Sequence, residues 1–168
     1  MPNFRAITYL DTLPAMIGLW KKRGDFAAGF DDADPRKTIE VRGARNADEP
    51  ETYADMPVLE DWKGLRSLLA KAQRGIGVQP LGAASVEMLP SRTAVPWMAE
   101  TEAHARRFDR FVLALATNPG CLTYCGNEVV HMPVGHLYWM AAGVLHSAVN
   151  FGEHPRYHLI FDVLKPDA

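Results

Sequence analysis

His146 and Arg156 have chemistries that suit a shared pocket, and ten positions separate them. An imidazole is a metal ligand at neutral pH. A guanidinium takes a carboxylate through two parallel hydrogen bonds. The surrounding stretch reads as strand, turn, strand. Val144–Asn150 is β-compatible, Phe151–Pro155 carries Gly152 and Pro155, and Tyr157–Val163 is a second apolar run. Alternate side chains of a strand share a face. His146 therefore goes with Ala148 and Asn150, and Arg156 goes with His158, Ile160 and Asp162. With both faces turned inward, His146, Arg156 and His158 line one pocket. The competing reading makes the two histidines hydrogen-bonded core residues and Arg156 a rim charge. Periodicity alone leaves both open.

Other chemistries find less support. Cys121 and Cys125 are spaced C-x3-C with no second pair, so a zinc site or disulfide framework is not expected, and two buried reduced thiols are. Ser85, Ser91 and Ser147 lack a G-x-S-x-G context. Gly75, Gly77 and Gly82 do not make a dinucleotide fingerprint. The net charge of −2 gives no general attraction to nucleic acid. No signal peptide or membrane-length apolar run is apparent. A cytoplasmic protein with a small-molecule or peptide partner, and no nucleic acid or membrane, is expected.

The elements that must position these residues form one domain. At 168 residues and 48% hydrophobic, the chain has material for a sizeable core. Residues 1–80 are expected to be helical support and loop. A helix runs from Asp11 or Thr12 through Trp20, with Leu13, Met16, Ile17 and Trp20 as a packing stripe. A strand is predicted over Thr38–Arg42, a mobile loop over 46–57, and a helix from Leu59 to about Gln73. Residues 81–165 switch to short β-compatible runs: Ala84–Leu89, Thr93–Met98, Arg110–Ala116, Cys121–Cys125, Glu128–Met132, His136–Met140, Val144–Asn150 and Tyr157–Val163. Glycine, proline and asparagine punctuate them. The pattern predicts a mainly β fold with supporting N-terminal helices, closed or two-sheeted like a jelly roll. Trp97, Tyr138 and Trp139 are expected to be packing aromatics.

Several phrases occur in a familiar order: Phe108-Asp109-Arg110-Phe111, Thr117-Asn118-Pro119-Gly120, Gly126 through Trp139, His146-Ser147-Ala148-Val149-Asn150, and Arg156 through Asp162. From about Ser85 to Val163 the chain resembles the aspartyl/asparaginyl β-hydroxylase-like family, which includes bacterial proline hydroxylases. The resemblance implies a cupin-like double-stranded β-helix and an iron(II)- and 2-oxoglutarate-dependent oxygenase. It implies hydroxylation of an amino acid, a peptide or an amino-acid-derived metabolite. In that family an H-x-D and a later histidine bind iron. His146 matches the later histidine, and Arg156 matches the arginine that pairs with 2-oxoglutarate. Arg110 and His158 are the further residues expected on the co-substrate side, though Asp109-Arg110 is also open to reading as a local ion pair.

The H-x-D position falls on Met98-Ala99-Glu100, so Met98 stands for the first histidine and Glu100 for the aspartate. Val112 replaces the histidine of R-x-H, and His136 replaces a common glutamate. Three outcomes follow. His146 and Glu100 hold iron with extra waters, as metal ligands and catalytic residues; His104, in Glu102-Ala103-His104, substitutes for the missing ligand; or iron is absent. In the last case the protein binds a small molecule or partner, or acts as a metal-independent enzyme with Glu100 as general base.

Overall fold

The computed structural model describes residues 2–28, 34–43, 52–77 and 79–166. Its strands are β1 (Phe4–Tyr9), β2 (Ala27–Ala28), β3 (Lys37–Gly43), β4 (Ala54–Asp55), β5 (Leu81–Leu89), β6 (Thr93–Ala94), β7 (Phe108–Ala116), β8 (Cys121–Cys125), β9 (Glu128–Val130), β10 (His136–Met140), β11 (His146–Asn150) and β12 (Arg156–Leu164). Its α-helices are α1 (Leu13–Lys21), α2 (Pro57–Asp61), α3 (Lys63–Ile76) and α4 (Glu102–Arg107). The strands form two antiparallel sheets. The larger runs β1-β10-β7-β12-β5-β3-β2, with β4 on β3, and the smaller runs β6-β11-β8-β9. From β5 onward, successive strands alternate between the two sheets except for the β8–β9 hairpin within the smaller one, the order of a double-stranded β-helix, as expected.

Side-chain alternation on β12 explains the layering. Tyr157, Leu159, Phe161 and Val163 point to one face of the larger sheet and join a core with Leu65, Leu68, Leu69 and Ala72 of α3. Arg156, His158, Ile160 and Asp162 point to the other face, toward the cavities between and beside the sheets. On β7, Phe111, Leu113 and Leu115 face the helices, and Arg110 and Val112 face the cavities. The helices thus brace one sheet face and leave the opposite face for a site.

The first eighty residues are more than helical support. β1 extends the larger sheet beside β10, and β3 extends it beside β5. The α1 stripe also differs from expectation. Leu13, Ile17 and Trp20 are 64%, 60% and 59% exposed, and the residues buried against α3 are Ala15 and Leu19. The helix is rotated because its small side comes down on α3. A Cβ at Gly64 would lie 2.0 Å from the Pro14 carbonyl oxygen, and the Trp62 indole donates to the Ala15 carbonyl at 2.8 Å. Trp62 also breaks the single helix expected from Leu59 into α2 and α3. Of the loop expected at 46–57, residues 46–51 lie outside the described residues, and the remainder holds β4 and the start of α2. Trp97 is 56% exposed rather than packed, with its ring against Tyr124.

Candidate active site

Backbone pairing brings the expected residues together. Met98 and His146 form an antiparallel bridge, with Met98 N–H donating to the His146 carbonyl at 2.9 Å and His146 N–H to the Met98 carbonyl at 2.8 Å. Glu100 follows, its N–H donating to the Ala142 carbonyl at 2.9 Å. The side chains of Met98, His146, Arg110, Arg156 and His158 line one inner cavity of about 50 Å³. Glu100 lines an adjoining outer cavity of about 590 Å³. The two cavities share Arg36, Glu87, Met98, Arg110 and Ile160.

His146 is buried, and its Nδ1 lies 2.8 Å from the Val144 carbonyl oxygen. A carbonyl only accepts, so Nδ1 carries the hydrogen and Nε2 keeps its lone pair. Burial, more than any neighbour, lowers this imidazole's pKa and favours the neutral form that ligates metals. Arg156 is 4% exposed. Its Nη1 makes a long 3.5 Å contact to the Thr123 hydroxyl, and its Nε has no hydrogen-bond partner among the described residues. His158 Nε2 is similarly buried without a partner. Burial first, and then Arg156, push the His158 pKa well below its ordinary value. A buried cation with an unpartnered N–H, beside an uncharged ring, is a place where an anion could be held. Asn150 aims this corner: its side-chain amide donates to Leu89, Pro90 and His154 carbonyls, and its oxygen accepts from Gly152 N–H, tying the turn before Arg156 to β11.

Arg110 pairs with Asp162, directly opposite on β12, through Nε at 2.9 Å and Nη2 at 3.0 Å, and its Nη1 donates to Glu100. Burial opposes its charge, but the two carboxylates outweigh it and raise its pKa. The local pair with Asp109 does not form; Asp109 accepts from the Trp139 indole and lies near Lys165. His104 lines neither cavity. It sits on α4 with Nε2 3.0 Å from Asp162, stacked on Phe108, so it does not stand in for the ligand missing at Met98. Asp162, Glu87, Thr123 and Arg36 join the site without having been singled out. Asp162 had a signal, a carboxylate on the inward parity of an apolar strand, which demands a buried partner. Arg36 had none.

The sequence of residues 65–166 matches the model of the aspartyl/asparaginyl beta-hydroxylase family. The chain belongs to that family. It is also 38% identical over 55 residues to L-proline cis-4-hydroxylase of Rhizobium meliloti (strain 1021), a match covering 33% of this chain and a fifth, 20%, of that protein's length. Its fold is that of the Pseudomonas putida prolyl-4-hydroxylase, with a TM-score of 0.59, 11% identity, and coverage of 97% of this chain and 92% of that one. The Trichoplax adhaerens prolyl hydroxylase in complex with a hypoxia inducible factor fragment gives a TM-score of 0.61 at 13% identity, covering 98% and 84%. Membership thus agrees with the resemblance read from the motifs, and the fold with the 2-oxoglutarate oxygenases.

Against the three protein ligands of a facial iron(II) site, the donor set here is reduced. Among the described residues no group of three histidine, cysteine, aspartate or glutamate side chains converges to hold a metal. The candidate donors are His146 Nε2, on the inner cavity wall, and the Glu100 oxygen not bound to Arg110, on the wall of the adjoining cavity. The thioether of Met98 is a poor donor to a hard ferrous ion, so water would complete the set. The orphaned Nε of Arg156 leaves a buried donor free for an acceptor such as a ligand carboxylate. Among the described residues, no helix is long and apolar enough to cross a membrane.

Proposed function

We propose that this chain is an iron(II)- and 2-oxoglutarate-dependent hydroxylase acting on an amino acid, a peptide or an amino-acid-derived metabolite. The observation that carries the reading is the under-satisfied guanidinium of Arg156 in the same cavity as the neutral imidazole of His146. Family membership and the double-stranded β-helix support it. His146 and Glu100 would hold iron, and Arg156, with Thr123 and His158 beside it, would hold the co-substrate. When bound, the metal lets dioxygen oxidise 2-oxoglutarate to succinate and carbon dioxide while one oxygen atom enters a substrate C–H bond.

The chain's own residues supply orientation and exclusion of water. Arg156 fixes the carboxylate, and His158, held neutral, adds no competing charge. Val112, Ala148 and Ile160 make the cavity wall apolar. Arg110 holds Glu100 by one oxygen. The outer cavity carries both charge types, with Arg36, Arg42, Asp34 and Glu40 on its wall, which suits a dipolar substrate. Incubation with iron(II), 2-oxoglutarate and panels of amino acids and short peptides tests the reading. The expected result is succinate together with a product one oxygen atom heavier. No coupled product from any panel, in folded protein that takes up iron, would contradict it.

One observation favours a second reading. Met98 replaces a ligand and Arg110 already neutralises Glu100, which suits a pocket that binds its ligand, or uses Glu100 as a base, without metal. Activity or ligand-induced stabilisation that survives strong chelation and needs Glu100 would select this reading.

A further inference from the structure

The inner cavity holds Arg156 and shares Arg36, Glu87, Met98, Arg110 and Ile160 with the outer one. A five-carbon diacid with one carboxylate at Arg156 can reach past Met98 toward the outer cavity, because the two cavities share this wall. The passage is bounded by Met98, Glu87 and Arg36, the last from just before β3 and outside the family-matched residues. Arg36 is held by one edge: Nε lies 3.0 Å from both Asp34 oxygens, and Nη2 is 2.6 Å from Asp34 Oδ2. Its other edge is turned to the passage. There Nη2 meets the Met98 sulfur at 3.4 Å and Nη1 meets Glu87 at 3.4 Å. A thioether is a weak acceptor and the Glu87 contact is long. This edge thus carries one long, single-point ion pair to Glu87 and a weak thioether contact, and a ligand carboxylate that takes both of its nitrogens would have to displace them.

We infer that Arg36 is a second carboxylate receptor, and that this pocket clamps a dicarboxylate end to end between Arg156 inside and Arg36 at the passage, with no metal needed. The inference rests on the reading that Arg156 takes the distal carboxylate. It adds that the near carboxylate, which a metal would otherwise hold alone, is met by protein where Met98 has replaced a ligand. Asp34 keeps Arg36 aimed and Glu87 flanks it. Arg36 is therefore a binding residue contributed by the N-terminal extension of the sheet.

Calorimetric titration of the full chain in excess chelator tests this with three probes: 2-oxoglutarate, glutarate and pentanoate. Glutarate lacks the 2-oxo group needed for chelation, and pentanoate lacks one carboxylate. The expected result is binding of both diacids at least about tenfold tighter than pentanoate. In Arg36→Gln the diacid preference should collapse by about tenfold, while Arg36→Lys should recover part of it. In Arg156→Gln all three probes should weaken. Thermal unfolding of each variant without ligand shows whether it is folded, and Arg36→Lys carries the test if Arg36→Gln is not. Binding of 2-oxoglutarate only when iron(II) is added, or a diacid preference untouched in Arg36→Gln, would overturn the inference and leave the hydroxylase reading standing. Metal-free clamping without coupled turnover would sink the hydroxylase reading and leave this one.

Discussion

Met98 and His146 exchange both of their backbone hydrogen bonds, at 2.9 and 2.8 Å, so the residue facing the imidazole is set by strand register. A β-bridge places its paired side chains next to each other on one face. Whatever occupies position 98 therefore stands beside His146.

Met98→His should convert the two-donor set into three donors with little rearrangement. The expected outcome is at least about tenfold tighter binding of manganese(II), used as an oxidation-stable stand-in for iron(II), by equilibrium dialysis. Equal affinity in variant and parent would mean that position 98 does not reach the metal.

Arg110 and Asp162 form a buried pair, with the Asp162 side chain 4% and the Arg110 side chain 15% exposed. Removing the cation leaves a buried carboxylate with only His104. Arg110→Met should cost about 3 kcal/mol in urea unfolding. Arg110→Lys should recover only part, because a lysine cannot span both Asp162 oxygens and Glu100. A loss under about 1 kcal/mol would show the pair to be structurally minor.

His158 makes a pH prediction with a definite sign. Burial, then Arg156, hold its pKa well below 6.5 in the folded protein. The unfolded chain takes up that proton near 6.5 and the folded chain does not. Stability is therefore full above 6.5 and falls as the pH drops below it, by up to about 1.4 kcal/mol per pH unit. His146, also lowered chiefly by burial, adds in the same direction. Asp162 acts lower. Burial raises its pKa, but the His104 and Arg110 contacts outweigh this and hold it below 3.8, so its contribution is lost only in stronger acid. Urea midpoints between about pH 7.5 and about pH 5 should fall, and fall less in His158→Gln. Parallel pH profiles would contradict the assignment.

The exposed stripe on α1 separates periodicity from burial. Ile17→Glu should change stability by less than about 0.5 kcal/mol, whereas Leu19→Ala should cost about 2–4 kcal/mol. Thermal unfolding of the pair decides between this packing and the one that spacing alone suggests.

The pocket's β half could be read from the chain because its strands are short, alternating and sharply punctuated. Parity on β12 grouped Arg156, His158 and Asp162 on one face and left open whether that face and that of His146 turn inward; the structure turns them to the cavities. What stayed hidden depended on contacts between distant segments. Leu13, Ile17 and Trp20 have a helical period that cannot say which face meets α3; Gly64 and Trp62 decide that. Arg110 sits next to Asp109 in sequence, but its partner is opposite in the sheet, fifty-two residues on. Glu102-Ala103-His104 has ligand-like spacing, yet α4 directs the imidazole to Asp162 and away from both cavities. Arg36 lies in no motif; the pairing of β3 with β5 sets its segment beside Met88 and Glu87, and its guanidinium then reaches the Met98 sulfur.

The most direct test of the central claim is an anaerobic titration of the full chain with iron(II) in the presence of 2-oxoglutarate, followed by visible absorbance. The expected result is a charge-transfer band that saturates near one iron per chain, and that is lost in His146→Ala and in Glu100→Ala. Folded wild-type protein that gives no such band at saturating iron(II) and 2-oxoglutarate would contradict the account.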